Sequence, residues 1–226
     1  MGASEMNNAI ITGTVAKAAD RYAIDVMGIP SLTLMERASS FVAEYMISQF
    51  PGADVLIVCG TGNNGADGIC IGKMLKRQGF DPLVIAAGNG WKGTWEFFSQ
   101  LADYRRMGGR ILLARDVKDE LPKADVLVDA IFGIGLMRDV IGEYRELIEK
   151  MNRHPGRKIS VDVPSGINAD TGSKMGICFR ADETFTFGRN KVGLILGDGA
   201  HAAGTVSVCD IGIPGEAYAA AENINL

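Results

Sequence analysis

The stretch Val55-Leu-Ile-Val-Cys-Gly-Thr-Gly-Asn-Asn-Gly-Ala-Asp-Gly68 constrains the fold more than any other part of the chain. An apolar β-type run over 55–58 is ended by a polar loop over 60–65, and the spacing then predicts a helix over 67–78, closed by Gly79. Where a strand hands over to a helix through glycines, α/β proteins hold phosphates, because the helix N-terminus offers free N–H groups and a partial positive charge. The spacing Gly60-x-Gly62-x-x-Gly65 matches the dinucleotide fingerprint. A conventional NAD site also wants an acid about 20 residues on, at the end of the next strand, to hold the ribose hydroxyls. Here the next expected strand, over 83–87, ends in Gly88-Asn89-Gly90. These facts point to a Rossmann-like fold whose first loop does not hold NAD in the usual way.

Upstream, Val15, Ala18, Ala19, Tyr22, Ala23 and Val26 have helical spacing, so a helix is expected over 14–27, stopped by Gly28 and Pro30. Thr33-Leu-Met-Glu36 has the spacing of a capping box and announces a second helix that runs to about residue 49. This leading pair either covers a sheet edge or forms a subunit contact. Downstream, strands are expected over 55–58, 83–87, 110–114, 126–132, 158–163, 183–187 and 205–211. Helices are expected over 67–78, 94–107 and 143–152, with a short one near 117–121. Runs such as 126–128 are nearly all apolar, as strands covered on both faces should be. The economical architecture is one three-layer αβα, Rossmann-like domain over 1–226, with a doubly wound, mostly parallel sheet. No helix of normal length separates the last strands, so closure by a hairpin or an antiparallel edge strand is expected there.

The 226 residues suit a single domain, and a net charge of −4 gives no electrostatic reason to expect nucleic acid as a partner. No apolar run approaches the ~18 residues of a membrane span. Residues 1–8 carry no signal pattern, and Met6 stands where a myristoylation motif wants Ser or Thr. Cys59, Cys70, Cys178 and Cys209 form no Cys-x-x-Cys pair and read as thiols of a reducing cytoplasm, where the chain is placed. His154 and His201 read as structural or surface groups.

In open α/β sheets ligands collect beyond the carboxyl ends of the strands. The first strand delivers Asn63, Asn64 and Asp67 there. The fourth carries Asp129 in an apolar run and leads into Gly133-Ile-Gly-Leu-Met-Arg-Asp139, and the fifth delivers Asp162 and Ser165. Each has a plain alternative. Asp67 is also what a helix's first turn favours, Asp129 would be content with the amides of the next loop, and Asp162 before Val163-Pro164 has the look of a turn-former. Arg138 and Lys191 either bind phosphate or are solvated. Asn64, Asp129 and Ser165 offer oxygen ligands, which suit a hard cation such as K⁺, Na⁺ or Mg²⁺ and not zinc. Asp162 is the leading candidate for general acid/base work.

Four sequence words, Gly62-Asn-Asn-Gly-Ala-Asp-Gly68, Asp129-Ala-Ile-Phe-Gly-Ile-Gly-Leu136, Val161-Asp-Val-Pro-Ser-Gly166 and Thr186-Phe-Gly-Arg-Asn-Lys-Val-Gly193, stand in one order. Together they resemble the NAD(P)H-hydrate epimerase family, the YjeF N-terminal domain. The resemblance implies that Asn63, Asn64, Gly65, Ala66 and Asp67, with Gly133, Ile134, Gly135, Leu136, Met137, Arg138 and Asp139, contact a hydrated dinucleotide, NADHX or NADPHX. It implies one K⁺ per subunit on Asn64, Asp129 and Ser165, with Asp162 at the hydrated nicotinamide and Lys191 near the site. A homodimer and an NAD(P)H-hydrate dehydratase as functional partner are further expectations. Two departures stand out: Ala66 replaces a glycine that the family usually shows, and Arg189-Asn190 precede Lys191 where Ala-Pro is common. The expected mechanism opens the hemiaminal C–O bond to an iminium and returns water to the opposite face, with Asp162 shuttling the proton. A non-catalytic nucleotide-binding module and a conventional Rossmann oxidoreductase are the alternative readings.

Overall fold

The structure, a computed structural model, describes residues 9–88 and 92–224. The stretch read above for targeting signals, and Asn89-Gly90 after the second expected strand, lie outside the described residues. The chain opens with a short strand, β1 (Ile10–Ile11), and helix α1 (Gly13–Asp25), capped by Thr12, whose hydroxyl accepts from Val15 N at 3.1 Å. Helix α2 (Ser31–Gln49) starts three residues before the capping-box spacing predicts. Pro30 precedes it and no side chain caps it, so the Thr33–Glu36 box is a feature of the sequence only.

Strand β2 (Val55–Cys59) is buried along its whole length and runs into α3 (Asn63–Arg77), which begins four residues earlier than expected. The polar pair Asn63-Asn64 is therefore the first turn of a helix. Gly65 permits this: a Cβ there would sit 1.8 Å from the carbonyl oxygen of Gly60, so only glycine lets the helix start so close to the preceding loop. Next come β3 (Leu83–Ala86), α4 (Trp95–Arg106), β4 (Arg110–Leu113), β5 (Val126–Ala130) and α5 (Glu143–Arg153). The short helix expected near 117–121 is instead a 3₁₀ turn at Ala114–Asp116.

The last third contains β6 (Arg157–Val161), β7 (Glu183–Phe187), β8 (Asn190–Lys191), α6 (Gly197–Ala202), β9 (Thr205–Cys209) and α7 (Gly215–Ile224). Seven strands pair in the order β4-β3-β2-β5-β6-β7-β9, and all six pairings are parallel. This corrects the expectation of a hairpin or antiparallel edge. The long connection between β6 and β7, and the short α6 with its flanking turns between β7 and β9, are crossover enough to keep the strands parallel. Four elements, β1, β8, α6 and α7, had no signal strong enough to foresee. β1 pairs in parallel with β8, and α7 packs on α1.

Three layers result. On one face of the sheet α2, α3 and α4 bury Val42, Met46, Ile69, Ile71, Leu75, Phe97 and Tyr104 against β2, β3 and β5. On the other, α5 buries Leu147, Ile148 and Met151 against Leu56, Val58 and Leu127. The strand order reverses between β2 and β5, so a crevice opens at their carboxyl ends. α1 and α7, packed together around Ala19, Ala23, Ala217 and Tyr218, flank that end.

Candidate active site

A cavity of about 590 Å³ lies at this crevice, within the range of small-molecule sites. The α3 side contributes Thr61, Gly62, Asn63, Asn64 and Asp67, and the loop after β5 contributes Phe132 to Leu136. Asp162 and Lys191 line it as well, as does one face of α1, including Lys17, Asp20, Arg21 and Ile24. Gly62 sits at the N-cap of α3 with no capping side chain, so the first N–H groups of a 15-residue helix open on the cavity.

Asp162 follows β6 and has φ of 66°, the one positive φ among the described non-glycine residues. Such a conformation is strained and survives only where its surroundings fix it. Here they do. Its amide donates to Phe185 O at 2.8 Å, and its Oδ1 accepts from Lys191 Nζ at 2.8 Å, Thr186 Oγ1 at 3.4 Å and Phe187 N at 3.5 Å. Oδ2 receives one long contact, from Ile134 N at 3.4 Å. Lys191 is 2% exposed, and its ammonium also donates to Thr186 Oγ1 at 2.9 Å and Phe187 O at 2.6 Å. All three of its protons are thus directed at protein acceptors, so it is an anchor for Asp162, neither solvated nor free for phosphate.

Gly133 lies against the free side of this carboxylate. A Cβ at Gly133 would come within 2.9 Å of Asp162 Oδ2 and 3.1 Å of Asn64 Oδ1, so three strand ends meet at one point. Both polar atoms of the Asn64 amide are buried without a hydrogen-bond partner among the described residues. Native proteins rarely leave such groups unpaired, and at functional sites the missing partner is often a ligand or ion.

Asp129, in the middle of the sheet, is fully buried. Its Oδ1 accepts from Ser165 Oγ at 2.6 Å and from Ile131 N at 3.3 Å, and its Oδ2 accepts from Ser165 N at 2.8 Å. Burial nevertheless pushes its carboxyl up to about 6, against the pull of those donors. The amides of neighbouring loops do serve it, as the plain reading had it, and they do not remove the cost of burying its charge. Asp67 lies beyond the first turn of α3, so attraction to the helix start does not account for it. Burial, and then the charges of Asp162 and Asp20, hold its carboxyl well above the usual range.

A family model described as YjeF-related protein N-terminus matches residues 31–193. The chain belongs to the YjeF-related N-terminal family. The NAD(P)H-hydrate epimerase of Limosilactobacillus fermentum is 40% identical over 208 residues, covering 91% of this chain and 98% of that one. The enzyme of the same name from Oenococcus oeni is 37% identical over 210 residues, covering 92% and 99%. In fold, the crystal structure of yeast ynu0 is similar, with a TM-score of 0.71 at 23% identity over 82% of both chains.

Within this YjeF-related domain the residues singled out from sequence separate into groups. Asn63, Asn64, Asp67, Gly133, Ile134, Gly135, Leu136, Asp162 and Lys191 line the cavity together. Gly65 and Ala66 are buried behind it, while Met137, Arg138 and Asp139 are exposed outside it. Asp129 and Ser165 are joined beneath the strand ends. Arg189 stacks over Tyr218 at 3.9 Å from the ring centroid and meets Glu222 at 3.7 Å, tying α7 to the strand that carries Lys191. The four cysteines are free and buried. His154 bonds the Pro122 carbonyl and the Gly156 amide, and His201 is exposed. Sequence reasoning missed Asp20. Burial raises its carboxyl to about 6, Lys191 pulls it down and Asp162 pushes it up. Its signal was there to read: an acid at helical spacing from the buried Ala16 and Ala23, at the edge of the apolar side of the helix.

Proposed function

We propose that this chain is an NAD(P)H-hydrate epimerase, an isomerase that interconverts the R and S forms of hydrated NADH or NADPH. The relatives of that name, similar over nearly the whole chain, support the reading. The observation that carries it in this chain is the state of Asp162. It is held by a strained backbone and a buried ammonium through Oδ1, with Oδ2 left against the cavity-lining Gly133.

The chemistry follows from the substrate. A hydroxyl on the carbon beside the ring nitrogen leaves as water when it is protonated and the nitrogen lone pair forms a C=N⁺ bond. Water returning to the opposite face gives the other epimer. Asp162 Oδ2 moves a proton at that oxygen, and Glu96, which also lines the cavity, favours the transient ring cation. The uncapped start of α3 is suited to the diphosphate. The enclosed Ile131, Phe132 and Leu34 exclude bulk water from the ring. The resulting epimer is a substrate for a hydrate dehydratase, the partner class expected from the sequence. A homodimer is the proposed assembly, with Val26 exposed at the end of α1 and Phe41 exposed on α2, and light scattering tests it.

A potassium ion fits the donors present. The Asn64 amide oxygen lacks a partner, and the Asp129 carboxylate, raised by burial, adjoins the Ser165 hydroxyl. These three would hold it at the ends of the adjacent strands β2, β5 and β6, where its charge would tie the loops together and attract the diphosphate. Turnover of each separated epimer, followed by chiral chromatography in K⁺ and in a K⁺-free buffer, tests both parts. No interconversion above the enzyme-free rate overturns the epimerase reading, and equal rates in the two buffers overturn the ion.

A further inference from the structure

Inversion at a hemiaminal has a requirement that a single carboxylate does not meet. The departing hydroxyl leaves from one face of the ring and the incoming water adds from the other, so proton delivery and proton removal occur on opposite sides. Asp162 stands at the strand-end side of the cavity, fixed through Lys191. A second element, α1, lines the same cavity. There Lys17, Asp20, Arg21 and Ile24 fall on one helical face, and Asp20 is the carboxylate among them that lies partly buried. Arg21 is engaged with Asp25 at 3.1 Å, whereas Asp20 has no hydrogen-bond or ion-pair partner among the described residues. Nothing in the fold of α1 needs an acid at this position, since its neighbours Ala16, Ala19 and Ala23 supply the packing.

We propose that Asp20 is the second catalytic proton-transfer group, serving the ring face opposite to Asp162. The inference rests on the epimerase reading. In one direction the Asp20 carboxylic acid donates its proton to the hydroxyl, the C–O bond breaks with its electron pair leaving on oxygen as water, and the ring nitrogen supplies the pair for C=N⁺. On the far face a water oxygen bonds to the same carbon and gives its proton to the Asp162 carboxylate. Asp20 ends ionised and Asp162 protonated, no electrons are transferred, and proton exchange with solvent resets the pair. The reverse direction exchanges the two roles.

Groups around Asp20 are arranged for such a task. Asp67 on α3, Asp162, Lys191 on β8 and Tyr218 on α7 face the same cavity, with Lys17, Arg21 and Asp25 on its own helix. Burial raises the Asp20 carboxyl to about 6, close to the neutral range in which a group both gives and takes a proton.

Oxygen isotope exchange tests the assignment. Each pure epimer is incubated in H₂¹⁸O with wild-type enzyme, Asp20→Asn and Asp20→Glu, and both inversion and label uptake with retention are followed, with folding checked by circular dichroism and thermal melting. In Asp20→Asn, inversion is expected to fall by roughly 10²–10⁴-fold, the usual range for a lost acid/base group. The epimer whose hydroxyl faces Asp162 still takes up label with retention. Asp20→Glu is expected to recover part of the inversion. Inversion at the wild-type rate in a folded Asp20→Asn, or equal loss of exchange and inversion for both epimers, overturns the proposal. Failure of the wild-type enzyme to invert either epimer would instead overturn the epimerase reading itself.

Discussion

The ammonium of Lys191 lies 2.8 Å from Asp162 Oδ1, and both residues are buried, at 2% and 7% exposure. The lysine comes from a two-residue strand paired with the N-terminal strand, the aspartate from a left-handed residue after β6, so segments far apart in sequence converge on one ion pair. Removing one member of a buried pair strands the other. Lys191→Met is therefore expected to cost about 3–5 kcal/mol in urea unfolding and to lower epimerase turnover at least tenfold. A variant as stable as wild type would show that the lysine does not anchor Asp162.

Gly133→Ala probes the other side of the same carboxylate. Gly133 is absent from the positive-φ positions, so a methyl group is sterically allowed by the backbone. Its conflict is with function, at 2.9 Å from Asp162 Oδ2 and 3.1 Å from Asn64 Oδ1. Thermal melting should move little, by the equivalent of about 1 kcal/mol or less, while kcat falls at least tenfold. A large stability loss with normal kcat per folded molecule would mean that the three groups do not form the reaction centre.

The parts of this fold that were legible in the sequence are those with short-range causes. Seven strands were readable because apolar runs such as Val55 to Val58 are buried on both faces, and Asp162 because it follows such a run. The start of α3 was misjudged because Asn63 and Asn64 are poor helix formers whose placement is decided by contact of Gly65 with Gly60, a tertiary fact. Parallel closure was invisible for a similar reason, since strand direction in β7 and β9 is set by irregular crossovers without periodicity. Asp20 and the buried state of Lys191 depend on α1, α7 and β1 folding over the strand ends, which pairs residues over 150 positions apart, as in the bond of Thr14 Oγ1 to Asp170 Oδ2 at 2.7 Å. No local pattern encodes that.

Ala66, where a glycine is usual in the family, turns out to be an ordinary helical residue. It is fully buried, its amide donates to Gly62 O at 3.0 Å, and its φ is not positive. The methyl therefore fills core space behind the cavity and constrains no anion loop. Ala66→Gly is expected to lose about 1 kcal/mol in denaturant unfolding and to leave turnover within about twofold. A clear gain in turnover would show that the methyl narrows the substrate site.

The raised carboxyl of Asp20 makes stability depend on pH in a direction opposite to that of a salt-bridged acid. Its ordinary value is 3.8 and its folded value about 6, with burial the main cause. Between these values the folded state binds more protons than the unfolded state, so the slope of unfolding free energy with pH is negative. The contribution is harmless below about pH 4, grows more unfavourable as pH rises, and is complete above about pH 6. At about 1.4 kcal/mol per unit it amounts to about 1–3 kcal/mol once partial solvent access is allowed for. Asp20→Asn, which cannot ionise, should match wild type in urea unfolding at pH 4 and exceed it by that amount at pH 7.5. Equal stability at both pH values would mean that Asp20 ionises in the folded protein as freely as in water. A gain in stability joined to a loss of inversion would mark Asp20 as a residue kept in place for chemistry at the expense of the fold.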